Sequence, residues 1–129
     1  MYLISTGTRR SSTEILKGVK SNKPVIKSLL NLVDDFEYAI KRNDVEEFSR
    51  LVNEGWSIKK KASDKTTSSN IESLDKEIVS TPEILSRRLC GAGGGGFFLT
   101  FTEKGQDIKS KFPNARKVEI DVDGVRTMK

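Results

Sequence analysis

Leu89-Cys90-Gly91-Ala92-Gly93-Gly94-Gly95-Gly96-Phe97-Phe98-Leu99 holds half of the chain's ten glycines, directly before an apolar run that reads as a buried strand. Without a Cβ, glycine reaches positive φ freely and brings bare N–H groups close to an anion. Contact with a phosphate or sugar phosphate would give such a loop its reason; the bland alternative is a flexible linker. Gly91 to Gly96 formally satisfies G-x-G-x-x-G, but the dinucleotide fingerprint requires a strand before it and a helix after it. Here the local pattern predicts the reverse: a helix-like approach, then a strand. The same glycines have the spacing of a Walker A loop, yet Phe97-Phe98 stands where Lys-Ser/Thr is required. A linker does not usually run straight into Phe97-Phe98-Leu99-Thr100-Phe101-Thr102. Ligand contact is therefore favoured on local chemistry.

Outward from this loop, the chain alternates between strand and helix signals. Tyr2-Leu3-Ile4-Ser5 reads as a short strand broken at Thr6-Gly7-Thr8, and Ser11 with Glu14 forms a capping box before Ile15, Leu16 and Val19. A second helix is predicted from about Pro24, with Ile26, Leu29, Leu30, Val33, Phe36 and Ile40 at helical spacing. Asn43-Asp44 breaks and recaps the chain ahead of Val45, Phe48, Leu51, Val52 and Trp56. Both stripes read as helix–helix core, with Trp56 as an anchor. Residues 62–70 turn to Ser, Thr, Asp and Lys, a loop signal. Ser69 with Glu72 caps a helix carrying Ile71, Leu74 and Ile78, and Thr81-Pro82-Glu83 is expected to restart a short one.

Beyond Thr102, Ile108 and Phe112 suggest a short helix ending before Pro113. Val118, Ile120 and Val122 alternate with charged residues, which predicts a half-buried strand; Gly124 turns the chain towards a final strand over 125–128. Strands separated by helices, with one-sided alternation, predict an α+β sandwich: an antiparallel sheet with helices packed on one face.

Composition narrows the function classes. The 129 residues suit one domain with a modest core. With no histidine and a single cysteine, Cys90, neither a zinc site, a His-based triad nor an internal disulfide framework can be built from this sequence. No metal ligand set is expected. No apolar run approaches a membrane span and no signal-peptide pattern opens the chain, so a cytoplasmic location without membrane attachment is expected. The net charge of +5 invites a nucleic-acid partner. Its densest cluster, Lys59-Lys60-Lys61, falls at a helix end where cations complement the dipole, and reads as solvated. No aromatic-interleaved basic stripe is present. Nucleic acid is not expected as a partner, and phosphorylated substrates fit the charge equally well.

The Leu89–Phe97 stretch resembles the third motif of the GHMP sugar and metabolite kinases, named for galactokinase, homoserine kinase, mevalonate kinase and phosphomevalonate kinase. Thr6-Gly7 with Arg10 and Glu14-Ile15-Leu16, then Trp56-Ser57-Ile58-Lys59-Lys60-Lys61, then Asp123-Gly124-Val125-Arg126 extend the resemblance in order over the whole chain. They are most similar to the branch that phosphorylates D-glycero-D-manno-heptose 7-phosphate. The resemblance implies that residues 1–129 are the C-terminal domain of such a kinase, a ferredoxin-like sandwich. Its N-terminal ATP-binding domain would lie elsewhere, as an absent domain or a separate partner chain. It also implies ATP and Mg²⁺ as cofactors of the complete enzyme, neither held tightly by this chain alone, and a sugar phosphate as substrate. Gly91, Ala92, Gly93, Gly94, Gly95 and Gly96, with Thr6, Gly7 and Arg10, are the implied substrate- and phosphate-binding residues. Arg10 reads equally as a surface residue near a helix start.

The family's Ser/Gly-rich ATP loop and its phosphoryl-transfer residues have no match in this sequence, so no catalytic residue is assigned. Phosphoryl transfer needs nucleotide, metal and acceptor positioned together. Three functions follow as expectations: half of a sugar kinase inactive by itself, a stand-alone sugar-phosphate or anion-binding module, or a non-catalytic remnant. A face left bare by the other domain would favour homo-oligomers.

Overall fold

A computed structural model describes residues 1–7, 23–61, 67–91 and 95–124. They form four strands and three helices: β1 (Tyr2–Ser5), α1 (Lys23–Lys41), α2 (Val45–Lys60), α3 (Ser69–Val79), β2 (Ile84–Leu89), β3 (Phe97–Thr102) and β4 (Arg116–Lys117). All sheet pairings are antiparallel and the strand order is β2-β3-β1-β4, that of a ferredoxin-like sandwich. The expected α+β class, with helices against an antiparallel sheet, is what the chain adopts.

Period-two alternation creates the buried face. Tyr2 and Ile4 on β1 lie opposite Thr100 and Phe98 on β3, and Leu89 of β2 lies opposite Phe98 from the other side. These residues close a core with Trp56 of α2, Ile71 and Ile78 of α3, and Ile108, Phe112 and Ala115 from the chain after β3. The Trp56 and Phe98 rings meet edge to face at 5.5 Å, a geometry aromatic quadrupoles favour.

The helix boundaries follow from caps. Asn43 takes the left-handed conformation (φ 54°), which asparagine tolerates, and Asp44 accepts a hydrogen bond from the Glu47 N–H at 3.0 Å to open α2. The α3 cap is Ser68, one residue before the expected Ser69; its hydroxyl accepts from the Ile71 N–H, while Glu72 accepts from the Thr67 hydroxyl.

Helix α2 lies along the free edge of β2. The Asn53 amide donates to the Leu85 carbonyl at 3.3 Å, and its oxygen accepts from the Arg87 N–H at 3.2 Å. One side chain thus satisfies edge groups that would otherwise template aggregation. Asp75 of α3 fixes the same strand from the buried side. It accepts from Arg87 Nε at 2.9 Å, Arg87 Nη2 at 3.1 Å, Lys60 Nζ at 2.8 Å and Trp56 Nε1 at 3.2 Å.

Four expectations are corrected. Thr81-Pro82-Glu83 starts no helix: the Thr81 hydroxyl donates back to the Glu77 carbonyl, and the chain enters β2. The glycine loop therefore joins two strands of a hairpin instead of following a helix. Ile108 to Phe112 makes a single turn, closed by the Phe112 N–H on the Ile108 carbonyl, and not a helix. The strand expected through Val122 ends at Lys117, with Ile120 74% and Val122 90% exposed. On α1 the packed stripe is Leu32, Phe36 and Ala39, while Leu30, Val33 and Ile40 are open. The capping box at Ser11 and Glu14, the final strand over 125–128 and most of the 62–70 loop lie outside the described residues.

Candidate functional site at the glycine hairpin

The hairpin is held at both ends. On the outgoing side, the Cys90 N–H donates to the Phe97 carbonyl at 2.9 Å and closes the β2–β3 ladder. On the returning side, Thr6 donates twice to the Gly96 carbonyl, through its N–H and its hydroxyl, both at 2.9 Å. Gly91 (φ 80°) and Gly96 (φ 92°) occupy the left-handed region at the two ends of the loop, where a side chain would strain the backbone. Gly7 (φ 73°) turns the chain directly beside it, its N–H donating to the Ser5 hydroxyl at 3.1 Å. The pairing of β1 with β3 thus unites Thr6 and Gly7 with the hairpin across ninety positions of sequence.

Of the residues singled out from the sequence, Thr6, Gly7, Gly91, Gly95 and Gly96 sit in this one cluster, Gly95 buried and Gly91 exposed. Ala92, Gly93, Gly94 and Arg10 lie outside the described residues.

A cation completes the cluster. Lys59, in the last turn of α2, donates to the Leu89 carbonyl at 3.1 Å and to the Gly91 carbonyl. Burial first, and then the neighbouring Arg88 charge, make its ammonium give up a proton more readily than an exposed lysine does. Lys59 is therefore not the solvated helix end expected from the Lys59-Lys60-Lys61 run. Nor is Lys60, which pairs with Asp75. The signal was present in the sequence: three and four residues beyond Trp56, both lysines share its buried helical face.

The Asp75 carboxylate is committed elsewhere. Burial would push it up, but hydrogen bonds from Arg87 and Lys60, with their charges, outweigh burial and hold it below the usual carboxylate range. Among the described residues, no group of histidine, cysteine or acidic side chains could hold a metal ion. Among the described residues the cluster has tied backbone, left-handed glycines and one lysine. Such a cluster can position an anion.

No helix among the described residues is long and apolar enough to cross a membrane. No family model and no curated protein sequence matches the chain. Among solved structures it is similar to L. major mevalonate kinase in complex with R-mevalonate, with a TM-score of 0.69 and 20% identity over 87% of this chain. The chain spans 38% of the length of that kinase structure. At this identity the likeness shows the fold, which is consistent with the C-terminal domain of GHMP kinases.

Proposed function

We propose that residues 1–129 serve as the C-terminal half of an ATP-dependent small-molecule kinase of the GHMP type, located in the cytoplasm. The observation that carries this reading is the hairpin. The glycine motif resembling the family's third motif closes on Thr6, beside Gly7, within a fold shared with a mevalonate kinase. On this reading the loop and its neighbours, Arg10 included, line the substrate and phosphate side of a cleft. The other side comes from a domain or partner chain bearing the Ser/Gly-rich loop, with ATP and Mg²⁺ bound there. The motif resemblance favours a heptose 7-phosphate as acceptor. R-mevalonate, named with the structural neighbour, is the comparison substrate.

Phosphoryl transfer from ATP is measured for the chain alone and for the chain joined to the ATP-loop domain of a heptose-phosphate kinase, with each acceptor. Product from the joined protein with heptose 7-phosphate, and none from the chain alone, is expected. Transfer to R-mevalonate instead would correct the substrate, and sustained turnover by the chain alone would overturn the half-site reading.

A further inference from the structure

A groove of about 630 Å³ runs between α1, α2 and strands β2 and β3. Leu29 and Phe36 of α1, Phe48 and Val52 of α2, and Leu99 and Phe101 of β3 supply most of its wall. Among the described residues its two charged lining residues, Lys59 and Arg88, gather at the hairpin end beside Gly91. Phe48 and Phe101, whose rings meet edge to face at 5.3 Å, mark the far end. Phe48 and Lys59 are three helical turns apart on α2, which gives the groove a length of about 16 Å.

Among the described residues, no acidic side chain lines this groove. Among the described residues neither Lys59 nor Arg88 enters an ion pair, and Lys59 is held only by neutral carbonyls. Two cations at one end of a long apolar channel, with no acidic partner among the described residues, offer a site for an anionic head. The floor also carries Gly55, inside α2, where glycine costs helix stability. A Cβ there would meet Leu32 Cδ1 at an ordinary 3.8 Å, so alanine would fit, and a longer side chain would enter the groove. A concave, mostly apolar site of this size with a few convergent polar groups is the usual form of a small-molecule pocket.

We propose that this groove binds a single-chain anionic amphiphile, an alkyl or acyl chain ending in a phosphate or carboxylate. The tail lies along Phe48 and Phe101 and the head at Lys59 and Arg88. The site goes beyond the kinase reading and needs neither ATP nor a second domain. Charge complementarity selects the head, and the unbroken apolar wall selects a tail without polar branches.

Trp56 is the chain's one tryptophan and lines the groove, so its fluorescence reports occupancy. The full chain is titrated with decyl phosphate, decanoate and decanol below their micelle concentrations, with calorimetry for stoichiometry. Saturable one-to-one binding of both anions is expected, with decanol about tenfold weaker or more. Arg88→Gln, at an exposed position, is expected to weaken both anions about tenfold and leave decanol unchanged; Gly55→Leu removes binding of all three. Lys59→Gln repeats the Arg88 test from the other cation. Equal affinity for decanol and decyl phosphate, no effect of either cation variant, or binding only to vesicles of anionic phospholipid would each overturn the proposal.

Discussion

At the scale of single residues, Asp75 carries more than any other polar side chain. It is 5% exposed and joins α3 to β2 through Arg87, and to α2 through Lys60 and Trp56. Removing its charge leaves two cations beside a buried face, so Asp75→Asn is expected to lower stability by about 3 kcal/mol, read from urea unfolding at neutral pH. Because its folded pKa lies below the unfolded value, the stability it contributes is complete above about pH 4. That contribution is lost as pH falls through the lowered folded value. The wild type should therefore lose more stability between pH 5 and pH 2 than Asp75→Asn does, to the extent of this one group. Ser86 is the opposite case. Its hydroxyl is buried without a partner, and Ser86→Ala is expected to raise the urea midpoint, by up to about 1 kcal/mol in stability, since no hydrogen bond is lost.

At the scale of elements, α2 is the organiser: its cap, its Asn53 edge clasp, Trp56 and Lys59 all serve different neighbours. Asp44→Ala is expected to cost about 1 kcal/mol in thermal or urea unfolding through the lost cap. Gly55→Ala is expected to add roughly 0.5 to 1 kcal/mol, because the new methyl meets Leu32 at contact distance. These helices were legible in the sequence, since caps and 3.6-residue stripes are local signals. Strand β2 was not. Its residues Ile84-Leu85-Ser86-Arg87-Arg88-Leu89 do not alternate by polarity, because Arg87 packs inward against Asp75, a partner twelve positions away. Thr81-Pro82 imitates a helix start while its hydroxyl ends the previous helix. Conversely, Val118, Ile120 and Val122 alternate well, but beyond Val118, whose N–H reaches the Met1 carbonyl, residues 119–122 belong to no strand. Alternation alone cannot create a strand without a neighbouring edge.

At the scale of the whole molecule, the sheet order makes the candidate site. Placing β1 beside β3 delivers Thr6 and Gly7 to the glycine hairpin, and α2 along the β2 edge delivers Lys59 to its other end. The glycine cluster was legible as an anion-contact candidate; its hairpin setting and its lysine depended on tertiary placement. The kinase proposal requires this hairpin to contact the phosphate of a substrate. Amide ¹H–¹⁵N spectra of the isolated chain, titrated with D-glycero-D-manno-heptose 7-phosphate, test it directly, since even weak binding by a half-site moves the resonances of contacting N–H groups. Saturable shifts concentrated at Thr6, Gly7, Gly91, Gly95 and Gly96 are expected. An unchanged hairpin at saturating ligand, or shifts confined to residues distant from it, would contradict it.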